Sequence, residues 1–96
     1  MSIKVAVVED EKHYNNALKK IIDNDSELNC VAQLYSGAES LALLKEMKPD
    51  VVLMDIKLPD MSGIEVVSRV IDDMSETKFI MRKTIISIGM LCSFAI

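Results

Sequence analysis

The 96-residue chain reads as an α/β domain, a doubly wound parallel sheet with helices on both faces. Three observations predict this. Short β-branched runs alternate with longer amphipathic segments in the order β-α-β-α-β-α-β. The runs, above all Ile3 to Val8 and Val51 to Met54, are nearly continuous in apolar residues, as in strands covered on both sides. Two of them stop on carboxylates, Glu9-Asp10 and Asp55, at the strand edge where ligands bind in such sheets.

Strand 1, Ile3 to Val8, ends abruptly at Glu9-Asp10-Glu11. From Lys12 to Asp23, Tyr14, Ala17, Leu18, Ile21 and Ile22 recur at helical spacing. Lys12, Asn15, Asn16, Lys19, Lys20 and Asp23 fall largely on the other side, and the acids suit the helix start. Asn24 to Glu27 is a polar turn, and Leu28 to Leu34 is a less apolar strand suited to a position near an edge. Ser36 and Glu39 form a capping-box signature for helix 2, whose stripe is Leu41, Leu44 and Met47 and which Pro49 helps to end. Strand 3 follows, and its Asp55 sits at the root of a loop shaped by Leu58-Pro59-Asp60 and Gly63. Ser62 and Glu65 repeat the capping pattern for helix 3, with Val67, Val70, Ile71 and Met74 facing in. Ser75 to Thr77 turns the chain into strand 4, Lys78 to Met81. The domain is expected over residues 1–81. Residues 82–96 form a second segment: Arg82-Lys83-Thr84, then an uncharged apolar run without a clear period.

Composition narrows the function classes. Half the residues are apolar and only 4% are aromatic, so the core rests on Val, Ile, Leu and Met. All 15 acidic residues lie at or before Glu76, whereas two of the 11 basic ones, Arg82 and Lys83, lie beyond residue 81, which gives residues 1–81 a net charge of -6. That balance argues against nucleic-acid or anionic-membrane binding by this chain and suits a basic partner or a divalent cation. Cys30 and Cys92 form no CxxC pair and are expected to be reduced and buried, as in a cytoplasmic protein. No signal peptide is expected ahead of strand 1, and the apolar run from Thr84 is too short to span a bilayer unaided. His13 and the seven methionines are expected at the surface and in the packing, respectively.

In a doubly wound sheet strands 1 and 3 are neighbours at the topological switch point, so Glu9, Asp10 and Asp55 are expected to converge. Carboxylates that close repel one another and call for a divalent cation or raised pKa values. Oxygen ligands with open positions suit Mg²⁺.

The segment Val7-Val8-Glu9-Asp10-Glu11, together with Asp50 through Asp55, Leu58-Pro59 and Gly63, closely resembles the receiver domain of bacterial two-component response regulators. The match covers about Ile3 to Met81. The resemblance implies a flavodoxin- or CheY-like topology with strand order 2-1-3-4. It implies that Asp55 is the phospho-accepting aspartate, supplied by a phosphohistidine on a sensor histidine kinase. Glu9 and Asp10 match the acidic pair that holds Mg²⁺, Asp10 directly and Glu9 partly through water, and the backbone carbonyl of Lys57 matches a further protein contact to the metal. Such a chain is a signalling switch more than an enzyme. The tone of the segment is similar to regulators that carry a DNA-binding helix-turn-helix output domain in the full-length protein.

Two family positions are not matched. Alignment on Lys78 to Met81 puts Lys83 where the family has a Ser or Thr, with Thr84 one residue later. The family's lysine at the end of strand 5 has no counterpart, nor do strand 5 and helices 4 and 5. The chain is therefore expected to be a receiver cut short, with its sheet face beside helix 1 and strand 4 uncovered and a homodimer as one way to cover them. Three functions follow: a phospho-accepting receiver, a pseudo-receiver that only binds or dimerises, or a phosphatase of the haloacid-dehalogenase type. The last wants a second Asp two residues after the first, where Lys57 stands.

Overall fold

The computed structural model describes residues 2–83. β1 (Ile3–Val8) leads to α1 (Lys12–Asp23), β2 (Leu28–Leu34), α2 (Gly37–Met47), β3 (Val51–Asp55), α3 (Gly63–Val70) with a 3-10 turn at Ile71–Asp73, and β4 (Lys78–Arg82). Among the described residues the strands form one sheet in the order β2-β1-β3-β4, with all neighbours parallel. This is the predicted doubly wound order. Strand 4 runs one residue further than expected, to Arg82, and the expected tail lies outside the described residues from residue 84 onward.

Alternation along β1 builds two cores. Ala6 and Val8 face α2 and α3, in a cluster with Leu44, Val52, Met54 and Val66. Val5 and Val7 face the other way, with Ile22 of α1 and the half-buried Leu18 and Leu53. This second layer is thinner. Ile80 of β4, in register with Leu53, keeps 41% of its surface exposed.

Two helices depart from their expected faces. In α1 the buried positions are Ile22 and Asn15, whereas Tyr14, Ala17 and Ile21 are exposed. Asn15 turns inward because its amide fits two strand ends: Nδ2 donates to the carbonyls of Glu9 at 2.9 Å and Leu34 at 3.1 Å. Its Oδ1 accepts from Gln33 Nε2 at 3.0 Å, so this buried polar group is satisfied on both sides. Val66 and Val70 of α3 and Met74 beyond it are buried, and Ile71, expected inside, is 47% exposed. The tighter 3-10 turn beginning at Ile71 carries that side chain outward and returns Met74 to the core.

The caps also differ in detail. Ser36 Oγ accepts from the Glu39 amide as a capping box requires, but Glu39 reaches back to the amide of Tyr35, one residue before the cap. Ser62 caps α3 through Ile64, while Glu65 pairs with Arg69 instead of closing the box. The loop after β3 is tied down by other groups. Asp60 accepts from the amides of Gly37 at 2.8 Å and Ala38 at 2.9 Å, and these two donors hold its carboxyl below its usual range. Lys57 and Ser62 bridge antiparallel, Gly63 N–H donates to the Ile56 carbonyl at 2.7 Å, and Leu58 is buried.

Gly63 seals this loop against the end of β3. A Cβ placed there would lie 2.1 Å from the Asp55 carbonyl oxygen and 2.9 Å from Met54 Cγ. Neither the strand backbone nor the packed Met54 side chain can yield easily. Gly63→Ala is expected to lower stability by about 1–3 kcal/mol, the range for forced overpacking. A fall in the urea midpoint at unchanged slope checks this, and an unchanged midpoint would contradict the contact.

Candidate functional site

The site is built from the ends of two adjacent strands. β1 and β3 pair in register through Val8 and Met54, so the next residue on each, Glu9 and Asp55, stand side by side at the carboxyl edge. Both side chains are buried, with 1% and 0% of their surface exposed, while Asp10 is exposed at the rim. One carboxylate oxygen from each of Glu9, Asp10 and Asp55 lies within 4.8 Å of the others. The convergence expected from the topology is present.

Backbone donors and a cation at the end of β4 answer part of this charge. Glu9 Oε2 accepts from the Glu11 amide at 2.9 Å, and Asp55 Oδ1 accepts from the Lys57 amide at 3.1 Å. Glu11 in turn caps α1, accepting from His13 N at 2.7 Å and Tyr14 N at 3.2 Å. The tight turn out of β1 therefore serves both the helix start and the acidic cluster.

The cation is Arg82. Its Nη1 donates to Glu9 Oε1 at 3.0 Å, with only 9% of the Arg82 side chain exposed. Arg82 is paired in register with Asp55 at the end of β4, and its carbonyl accepts from Ile56 N–H at 2.8 Å. The side chain thus reaches from β4 past β3 to the end of β1. Residue reading along the chain did not place Arg82 in the site. A signal existed: a basic residue directly after an apolar strand sits at the same sheet edge as the acids.

Burial pushes the Glu9 carboxyl up to about 7, and the neighbouring Asp55 charge pushes the same way. The Glu11 amide and Arg82 oppose that rise without cancelling it. Lys57 and Lys83 have exposed side chains, and His13 is exposed at the start of α1. Cys30 is a free, half-buried cysteine whose thiol is pushed up by burial, and Cys92 lies outside the described residues. No helix among the described residues is long and apolar enough to cross a membrane.

The response regulator receiver domain matches residues 5–85, and the chain belongs to that family. It is 35% identical over 71 residues to a protein-glutamate methylesterase/protein-glutamine glutaminase of Lawsonia intracellularis, a match covering 74% of this chain and 20% of that protein. It is 32% identical over 81 residues to the response regulator protein VraR of Staphylococcus aureus, covering 84% of this chain and 39% of VraR. Among solved structures, the response regulator domain of Thermotoga maritima CheB superposes with a TM-score of 0.81 at 32% identity, covering 93% of this chain and 66% of that one. The family resemblance drawn from the β1 edge and the β3 loop is therefore correct, as is the CheY-like fold. The chain spans about two fifths or less of the length of these curated relatives, and the activity named for the methylesterase belongs to that protein.

The raised Glu9 value has a signed consequence for the metal-free protein. Between its ordinary value of 4.5 and about 7, the folded state holds a proton that the unfolded state has released. Stability from this group is therefore greatest below pH 4.5 and falls as pH rises toward 7, by up to about 3 kcal/mol. Urea unfolding at pH 5 and pH 8 in chelator is expected to show this loss in wild type and much less of it in Glu9→Gln.

Proposed function

We propose that the chain is a phospho-accepting receiver in two-component signal transduction, with Asp55 as the acceptor. The observation that carries this reading is the buried Asp55 carboxylate at the end of β3, grouped with Glu9 and Asp10 within 4.8 Å. In the reaction an Asp55 oxygen forms a bond to phosphorus as the nitrogen–phosphorus bond of a phosphohistidine breaks. The imidazole of the donor kinase leaves with the electron pair and takes a proton from solvent. The Lys57 amide holds one Asp55 oxygen and so fixes the plane of the attacking carboxylate.

The donor set fits Mg²⁺. It offers hard oxygen ligands only, one of them at an exposed rim that leaves room for water and phosphate. Asp10 would bind directly, Glu9 partly through water, and Asp55 and the Lys57 backbone carbonyl would complete the protein's share. When bound, the cation supplies charge neutralisation between the carboxylates and the incoming phosphoryl oxygens. A cytoplasmic location, a sensor histidine kinase as donor, and an output through a homodimer or a DNA-binding domain elsewhere in the full-length protein belong to the same reading. They rest on the family alone.

One observation favours a second reading, a pseudo-receiver that binds without being phosphorylated. Arg82 engages Glu9, and Lys83 stands where the family has a hydroxyl side chain. Incubation with acetyl phosphate or phosphoramidate, read by intact mass, separates the two. The first reading predicts a single phosphoryl adduct that needs Mg²⁺ and is absent from Asp55→Ala. A folded wild-type chain that gains no adduct would leave the binding-only function.

A further inference from the structure

Arg82 is not used in the transfer described above, yet among the described residues it is the most deeply placed cation of the site. Its side chain is nine-tenths buried. It makes a 3.0 Å bond to Glu9 through Nη1, but its Nε is buried with no hydrogen-bond partner among the described residues. The fork is therefore only partly satisfied, which penalises the buried ion pair relative to a fully bonded one. The root of the side chain is fixed, because the Arg82 carbonyl holds Ile56 N–H and the residue is in β register with Asp55. Only the side chain can leave.

Resting on the metal site proposed above, we propose that Arg82 is a built-in counter-ion that competes with Mg²⁺ for the acidic pocket. Its guanidinium takes the Glu9 carboxylate that a divalent cation would share, so metal entry requires the Arg82–Glu9 pair to open. The site then has two arrangements, Arg82 inward without metal or metal bound with Arg82 turned out. The guanidinium and a divalent cation draw on the same Glu9 carboxylate, and their mutual repulsion in a poorly solvated pocket lowers the affinity for the metal while Arg82 stays inward. The partly satisfied fork favours exchange: the arginine gives up one good hydrogen bond and regains solvent for its orphaned Nε. Affinity for the metal is thereby held below what the three carboxylates alone would give.

The test is Mg²⁺ binding by isothermal titration calorimetry without any phosphodonor, comparing wild type, Arg82→Met and Arg82→Lys. Methionine keeps the apolar stem and removes the charge, and is expected to tighten Mg²⁺ binding by about tenfold or more. Lysine keeps the charge and loses the fork, and is expected to stay within a few fold of wild type. Equal or weaker binding by Arg82→Met would overturn the competition while leaving the metal site in place. Failure of all three proteins to bind Mg²⁺ would overturn the competition and the metal site together. Should Arg82→Met fail to fold, the wild-type Arg82 Nε–H resonance decides. It is expected to shift on Mg²⁺ addition with the same midpoint as the calorimetric curve, and an unmoved resonance at saturating metal would overturn the proposal.

Discussion

Three carboxylates held together beyond the end of an apolar sheet form the constraint on which the rest of this structure depends. The doubly wound order makes β1 and β3 neighbours, and their register brings Glu9 beside Asp55. Burial there raises the cost of charge, which the raised Glu9 value expresses. Much of the surrounding chain answers that cost. The Glu11 and Lys57 amides point into the cluster, and Arg82 crosses β3 to reach it. The loop after β3 keeps Asp55 at its root because Asp60 grips the start of α2 and Gly63 leaves room for the Asp55 carbonyl.

Much of this was legible in the sequence, for identifiable reasons. A continuous apolar run bounded by Pro49 and ending in Asp55 has few readings other than a covered strand with a functional edge. Once the strands alternate with helices, the topology brings Glu9, Asp10 and Asp55 together without any side-chain knowledge. What was not legible depended on particular contacts. Asn15 looks like a solvent-facing residue by periodicity, yet it is buried because two strand-end carbonyls need donors. Ile71 fits the helical stripe but falls in a 3-10 turn that no residue pattern announces. Arg82 looked like the start of an unrelated segment, since its role appears only when β4 is set in register with Asp55.

The edge of β4 carries two successive basic residues, the buried Arg82 and the exposed Lys83. Both add positive charge at the sheet edge that holds the acidic pocket, in a chain whose first 81 residues are strongly acidic. An acidic site partly neutralised from within can remain folded without metal. On the proposed reading, the balance between Arg82 and an external cation decides how readily the site takes metal.

The central claim, that this acidic edge is a cation site, is tested most directly by thermal unfolding with and without Mg²⁺ at matched ionic strength. A cation that binds only the folded state raises the melting temperature progressively with its concentration, by about 2.7 kcal/mol of stability at a hundredfold excess over Kd. The account predicts such a rise in wild type and its loss in Asp10→Asn, which removes the rim ligand without disturbing the buried pair. A melting temperature indifferent to Mg²⁺, or an equal rise in Asp10→Asn, would contradict it.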